Sequence, residues 1–282
     1  MTIRSADHVG DDDATDHEDD RDIRVLLPPS LQVERHGEVA VLRLCRARKR
    51  NALDDATVLG IEAFFNAPPR DVKAIVLDAE GDHFSAGLDL SEMIERDAFE
   101  GLEHSRMWHR AFERVESGRV PVVAVLKGAV IGGGLELASA AHIRVAESST
   151  FYALPEGQRG LFVGGGASVR VPKLIGTHRM MDMMLTGRVY DAMEGQAAGL
   201  SHYLVEEGAG LAQALELARK IATNSPVTNF AVLQALPRIA QANPAEGYLM
   251  ESLMAAVSSG SAEAKSRMRA FLDGKSTKVT QP

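Results

Sequence analysis

The sequence predicts an α/β fold that ends in a helical C-terminal region, and three observations carry the prediction. Short apolar runs of strand length alternate with amphipathic stretches up to Gly166. Beyond Gly166 helical periodicity dominates, punctuated by Asp191, Pro226, Pro237 and Pro244. The composition, 45% hydrophobic and 25% charged over 282 residues, is that of an ordinary soluble globular protein with room for a large core and an enclosed pocket.

Taken in order, "LQVERHGEVAVLRL" (31–44) alternates apolar and polar residues around a turn at His36 and Gly37 and reads as a hairpin. "NALDDATVLGIEAFFNAPP" reads as a helix capped by Asp54 or Asp55 and stopped by Pro68. "VKAIVLDAEG" and "VPVVAVLKGAV" are continuous apolar runs, the mark of strands buried on both faces. Between them, residues 91–118 show helical spacing, and "HIRVAESSTFYALPE" supplies a third buried strand and a short fourth. Helices are expected near 167–175, 178–186, 191–198, 210–224, 227–240, 245–257 and 261–273. Strands alternating with helices, followed by helices alone, define an α/β core and a helical appendage.

Charge is concentrated at one end. Nine acids against Arg4 and Arg21 put residues 1–22 at −7 of the total −8, which leaves the other 260 residues at −1. A segment so acidic and so poor in apolar residues cannot offset the entropy of ordering itself, so residues 1–28 are expected to form a disordered tail. The division is then a tail at 1–28, an α/β core at 29–225 and a helical region at 226–282. No basic stripe marks a nucleic-acid surface. No apolar run is long enough to span a membrane, and no secretory leader precedes the fold, which together predict a cytoplasmic protein. Cys45 is the only cysteine and lies in the strand pattern "VAVLRLCR", where a buried thiol is the simple reading. Outside the tail no His, Cys and Asp cluster has metal-ligand spacing.

Two segments share a design. In "HFSAGLDLSEM" a strand ending near Ser85 turns at Gly87, and Asp89 or Ser91 can cap the helix beyond the turn. In "KGAVIGGGLELA" a strand ends near Leu126 and three glycines lead into a helix beginning near Gly134. Both leave backbone N–H groups free at strand-to-helix junctions, where negative charge is well stabilised. Neither is a dinucleotide loop: the pattern from Gly132 requires a glycine at 137 and meets Leu137, and from Gly164 it meets Val169. Two carboxylates accompany the loops. Glu136 sits in the first helical turn, where the helix dipole alone would favour it, and Glu156 follows Pro155 into a loop. A pair of carboxylates beside an oxyanion hole can move water across a double bond, one as base and the other as acid.

The segments "KRNALD", "HFSAGLDL", "VPVVAVLKGAVIGGGLELA", "LPEGQRGLFVGGG" and "MMLTGRVYDAMEGQAAGLSHYLV", in this order and spacing, resemble the enoyl-CoA hydratase/isomerase, or crotonase, family over residues 32–275. The resemblance implies a crotonase-like (ClpP/crotonase) spiral core of ββα units. It implies an acyl-CoA thioester as substrate, with coenzyme A part of that substrate and no separate cofactor. The thioester oxygen would be held by the N–H groups of Leu88 and Gly133, with Glu136 and Glu156 as the catalytic pair. Ser85, Ala86, Asp89, Leu90, Gly132 and Gly164, on the matched loops, would contact substrate. Both glutamates are present, which favours hydration of a 2-enoyl-CoA; double-bond isomerisation, carbon–carbon cleavage and non-catalytic acyl-CoA binding are the alternatives. A homo-oligomer, a trimer or a dimer of trimers, is implied through the helical region.

The chain departs from the family pattern at several positions. Val163 replaces a usual proline, Ser168 and Val169 a threonine–glutamine pair, His142 an aspartate, and Leu88 an alanine. These changes bear on the acyl pocket more than on the fold, and His142 reads as structural. His104, Trp108 and His109 in "HSRMWHRAF" fall at helical spacing, suited either to lining that pocket or to an ordinary amphipathic face.

Overall fold

The computed structural model describes residues 27–92 and 95–275. The acidic tail lies outside the described residues apart from its last two positions, as do Met93 and Ile94 of the helical stretch expected at 91–118.

The hairpin expected at 31–44 forms as strands β1 (Leu31–His36) and β2 (Val39–Leu44), paired antiparallel from Leu31 opposite Leu44 to His36 opposite Val39, with Gly37 at φ +66° in the turn. Helix α1 (Asp55–Asn66) follows, and the cap is Asp54, whose carboxylate accepts from the Thr57 N–H at 2.8 Å. Strands β3 (Ala74–Ala79), β4 (Val122–Leu126), β6 (Ile143–Glu147) and β9 (Tyr203–Val205) then add in parallel to β2, giving a six-stranded sheet ordered β1-β2-β3-β4-β6-β9.

The continuous apolar runs are explained by burial on both faces. Val39, Val41, Ala74, Val76, Val123, Val125 and Val145 face α7 (Gly210–Ala222), which covers them with Ala214, Leu215, Ala218 and Ala222. The alternate residues Ala40, Leu42, Ile75, Leu77, Ala124 and Leu126 point the other way, into the main core with α1, α2 (Ala98–Glu116) and α3 (Gly133–Ala140).

"VPVVAVLKGAV" is two strands rather than one. Gly128, at φ +47°, turns the chain between β4 and β5 (Ala129–Ile131), and β5 joins a separate three-stranded sheet with β7 (Phe151–Ala153) and β8 (Tyr190–Asp191). Helix α2 begins at Ala98, not at 91. Asp97 accepts from the N–H groups of Phe99 and Glu100 while Glu100 accepts from that of Asp97, a reciprocal cap that fixes the start. Leu90–Glu92 form a single 3-10 turn before it.

The C-terminal half is mainly helical as expected, with α4 (Ala167–Ile175), α5 (Thr177–Thr186), α6 (Ala192–Ala198), α7, α10 (Pro244–Gly260) and α11 (Ala262–Leu272). The short strands β8 and β9, which the helical pattern does not announce, lie among these helices, one in each sheet. The single helix expected at 227–240 is instead α8 (Pro226–Phe230), a π turn (Ala231–Ala235) and α9 (Leu236–Ile239). Pro237 has no N–H to continue the α ladder, and the wider turn absorbs the break, with Leu236 donating to the Ala231 carbonyl.

Candidate active site

The first loop is held on two sides. Phe84, Ser85 and Ala86 donate to the carbonyls of Lys127, Ala129 and Arg50 at 2.8, 2.9 and 2.9 Å, and Ile131 returns a bond to the Ser85 carbonyl at 3.0 Å. On the other side Leu53 donates to Gly87 O at 2.7 Å and Asp89 to Leu53 O at 2.9 Å. Asn51, in the left-handed region at φ 52°, sits beneath this arrangement. Its Oδ1 accepts from the Arg46 N–H and its Nδ2 donates to the carbonyls of Glu80 and His83. The Leu88 N–H lies between the anchored positions 87 and 89 and has no acceptor among the described residues.

The second loop leaves β5 at Gly132, whose φ of 52° and ψ of −121° suit only glycine. Its N–H donates to Ala153 O at 2.9 Å, and Gly133 opens α3 with an N–H that likewise has no acceptor among the described residues. The two loops meet closely. A β-carbon on Gly87 would fall 3.0 Å from the Gly133 nitrogen, and one on Gly133 would fall 3.3 Å from the Leu88 nitrogen. Two free N–H groups thus stand side by side at the start of a buried helix, the arrangement that stabilises an oxyanion.

Glu136 is 3% exposed, and its Oε1 accepts from the N–H groups of Gly165 at 2.8 Å and Ala167 at 3.1 Å. Burial pushes its pKa up; the two backbone donors oppose that shift and the nearby Glu156 charge adds to it. Glu156 begins a 3-10 turn (Glu156–Arg159). Its Oε1 lies where a β-carbon on Gly132 would be only 2.6 Å away, and its Oε2 is buried with no partner among the described residues. Burial raises its pKa too. Perturbed carboxylates facing each other across a cleft are what acid–base chemistry near neutral pH requires.

A cavity of about 730 Å³ opens over these groups. Of the residues singled out in the sequence, Ala86, Leu88, Leu90, Gly132, Gly133, Glu136, Glu156 and Gly164 line it. Ser85 and Asp89 do not. Ser85 Oγ donates to Asn51 O and accepts from the Gly87 N–H, so it holds the loop from below. Asp89 is 5% exposed and turned toward Arg46 at 2.7 Å and Lys49 at 2.8 Å, which hold its carboxyl well below the usual range.

The α2 face supplies Gly101, His104, Ser105 and Trp108 to the cavity wall, while His109 lies outside it. Trp108 packs edge-on to Phe112 and against Gly133. His142 is structural: Nδ1 accepts from Val122 N–H at 2.9 Å and Nε2 lies 3.0 Å from Glu116 O.

Sequence reasoning missed the Gly165 and Ala167 N–H donors to Glu136 and the walls formed by Glu95, Arg96, Leu161 and Phe162. Backbone donors leave no residue-type signal, although the glycines at 164–166 mark where main chain can approach closely. No helix among the described residues is long and apolar enough to cross a membrane.

Fold and site together define an acyl-CoA-handling protein of the crotonase type. The sequence profile of enoyl-CoA hydratase/isomerase matches residues 34–281, and the chain belongs to that family. It is 30% identical over 244 residues to the short-chain-enoyl-CoA hydratase of Clostridium acetobutylicum, covering 86% of this chain and 94% of that one. It is 32% identical over 208 residues to the 2,3-dehydroadipyl-CoA hydratase of Escherichia coli, covering 73% and 81%. The crystal structure of a candidate enoyl-CoA hydratase from Rhodopseudomonas palustris superposes with a TM-score of 0.86 at 60% identity, over 89% of this chain and 97% of that one.

Proposed function

We propose that the protein hydrates a 2-enoyl-CoA, adding water across the 2,3 double bond. The observation that carries the reading is the convergence of the free N–H groups of Leu88 and Gly133 with the carboxyl groups of Glu136 and Glu156 on one cavity. The thioester oxygen would accept from both N–H groups, which draws electron density from the double bond and makes the β-carbon electrophilic; each such donor is worth about 3 to 4 kcal/mol in the transition state.

The environments of the two acids divide their roles. Glu136, with two donors on Oε1, is the better supported anion and acts as base, taking a proton from the water as its oxygen bonds to the β-carbon. Glu156, buried with an unpartnered oxygen, is the better supported acid and delivers its proton to the α-carbon. A proton returned from Glu136 to Glu156 resets the site.

A panel of 2-enoyl-CoA thioesters, turned over by wild type and by Glu136→Gln and Glu156→Gln, tests this. Full activity in both variants would refute the roles. Val163, on the cavity wall where the family usually has proline, favours a second reading, isomerisation or carbon–carbon cleavage on the same scaffold. A shifted alkene or a released carbonyl product in place of a 3-hydroxyacyl-CoA would establish it, and binding without turnover of any thioester would mark a non-catalytic acyl-CoA-binding protein. We further infer that the chain assembles as a trimer or a dimer of trimers through its C-terminal helices, whose exposed apolar side chains support this.

A further inference from the structure

Of the N–H groups that hold Glu136, that of Gly165 belongs to a segment with little conformational preference of its own, Gly164–Gly166, and that of Ala167 follows directly on it. Something else must fix it. Ser105 Oγ, from α2, donates to Gly164 O at 2.6 Å. Arg170, one turn into α4, donates Nη1 to Gly165 O at 3.0 Å and Nε to Glu116 Oε2, at the end of α2, at 2.7 Å. The Arg170 side chain is 9% exposed and its bond to Gly165 O is buried, while Glu116, 43% exposed, takes the other prong nearer the surface. A planar guanidinium can serve a carbonyl and a carboxylate at once, which a lysine ammonium on a flexible stem cannot reproduce.

We infer that Arg170 is a positioning residue for Glu136: by tying Gly165 O to Glu116 it keeps the Gly165 and Ala167 N–H groups on Oε1 and leaves Oε2 turned to the reacting atoms. Both hydrogen bonds to the Glu136 carboxyl among the described residues are on Oε1, and Glu136 lines the cavity, as a base facing a water would require. The inference rests on the reading of Glu136 as base, and it assigns to Glu116 the part of anchor. The charges that act on Glu136 are Glu156 from its 3-10 turn and Arg170 from α4, and Glu95, Arg96, His104 and Arg159 line the same cavity. From α2, Glu116 bonds to Arg170, and His109 is close enough to feel the Arg170 charge. Neither α3 nor β5 carries a further charge.

The test uses Arg170→Met, Arg170→Lys and Glu116→Ala. The carboxyl 13C resonance of Glu136, assigned by its loss in Glu136→Gln, is titrated in the free protein, and kcat and KM are measured separately on a 2-enoyl-CoA. In Arg170→Met, Glu136 should titrate at higher pH, having lost a nearby cation and aligned donors. Its kcat should fall about 10- to 100-fold with little change in KM, as displacement of a reacting group by an ångström does.

Arg170→Lys should bring the titration back toward wild type while kcat stays low, which separates charge from geometry. Glu116→Ala should move both readouts in the same direction by less. An unmoved Glu136 titration in Arg170→Met overturns the inference, and if that variant does not fold, an unmoved titration in Glu116→Ala does so. A shifted titration with unchanged turnover would show that Arg170 acts on Glu136 by charge alone and overturns the positioning role, whereas full activity of Glu136→Gln refutes Glu136 as base.

Discussion

The indole of Trp108 occupies the space a side chain on Gly133 would need: a β-carbon there would fall 2.7 Å from Trp108 Cζ3 and 3.1 Å from Cη2. Gly133 is not in the left-handed region, so steric contact, chiefly with Trp108 and secondarily with the Leu88 nitrogen at 3.3 Å, requires glycine at this position. The ring is 4% exposed and wedged against Phe112, so it has little freedom to retreat. Gly133→Ala should therefore push the Gly133 N–H off its line with Leu88. The expected loss is about 100- to 1,000-fold in kcat, the cost of one oxyanion donor. Trp108→Leu in the same chain should recover part of it, and failure of the second substitution to recover any activity would show that the collision is not the cause.

Much of the site is legible from spacing alone. Glycines at 87 and 132–134 mark close backbone approach, and the acids at 136 and 156 follow them at short range, so the local sequence names the parts. What spacing does not show is which groups lie opposite. Asp89 reads as a loop residue poised over a ligand, yet Arg46 and Lys49, 43 and 40 positions earlier, draw it the other way. The start of α2 lies beyond the point that periodicity indicates, because helical spacing runs on through 91–97 while the capping pair Asp97 and Glu100 sets the boundary. The break at 231–235 comes from Pro237, visible in the sequence but outweighed there by a helical pattern on both sides.

Asp89 provides a stability prediction with a definite pH sign. Its folded pKa is lowered, chiefly by the hydrogen bonds from Lys49 and Ser91, with Arg46 contributing. The native state therefore binds protons less readily than the unfolded chain. The stabilisation is fully present above the ordinary aspartate value of 3.8 and is lost as pH falls below it. Asp89→Asn should lower stability near neutral pH by about 1.5 to 3 kcal/mol, the worth of hydrogen bonds to a charged group. Chemical denaturation of both proteins from pH 8 to pH 3 should show a constant difference that shrinks only at the acid end. Turnover should fall as well, because the bond from Asp89 N–H to Leu53 O borders the Leu88 donor.

Glu136 and Glu156 carry the opposite sign. Burial raises both folded pKa values, so the native state binds protons more readily than the unfolded chain, and stability is lost as pH rises from the ordinary value of 4.5 through the raised folded values. Glu156→Gln should consequently melt higher than wild type at pH 8, with the gain disappearing below about pH 4 as the unfolded-state carboxyl protonates too. The same variant should be the less active one, so stability and catalysis pull against each other at this residue. Equal melting temperatures at pH 8 would mean that the carboxylate is hydrated in the native state.

The C-terminal helices present apolar surface that the other described residues do not cover. Helix α10 packs on α9 and α11, yet Leu249, Leu253 and Val257, spaced four residues apart and so on one face, are each more than half exposed, as are Tyr248 and, on α11, Phe271 and Leu272. An apolar face of this extent is unusual on a monomer and usual at an interface between subunits. Sedimentation velocity at micromolar concentration should give a trimer or a hexamer. Leu253→Asp, which places a charge in the middle of the α10 stripe without touching the cavity, should shift the distribution to monomer, since desolvating an unpaired carboxylate opposes association. A wild-type chain that sediments only as a monomer would refute the assembly, and unchanged sedimentation of the Leu253→Asp variant would place the interface on another surface.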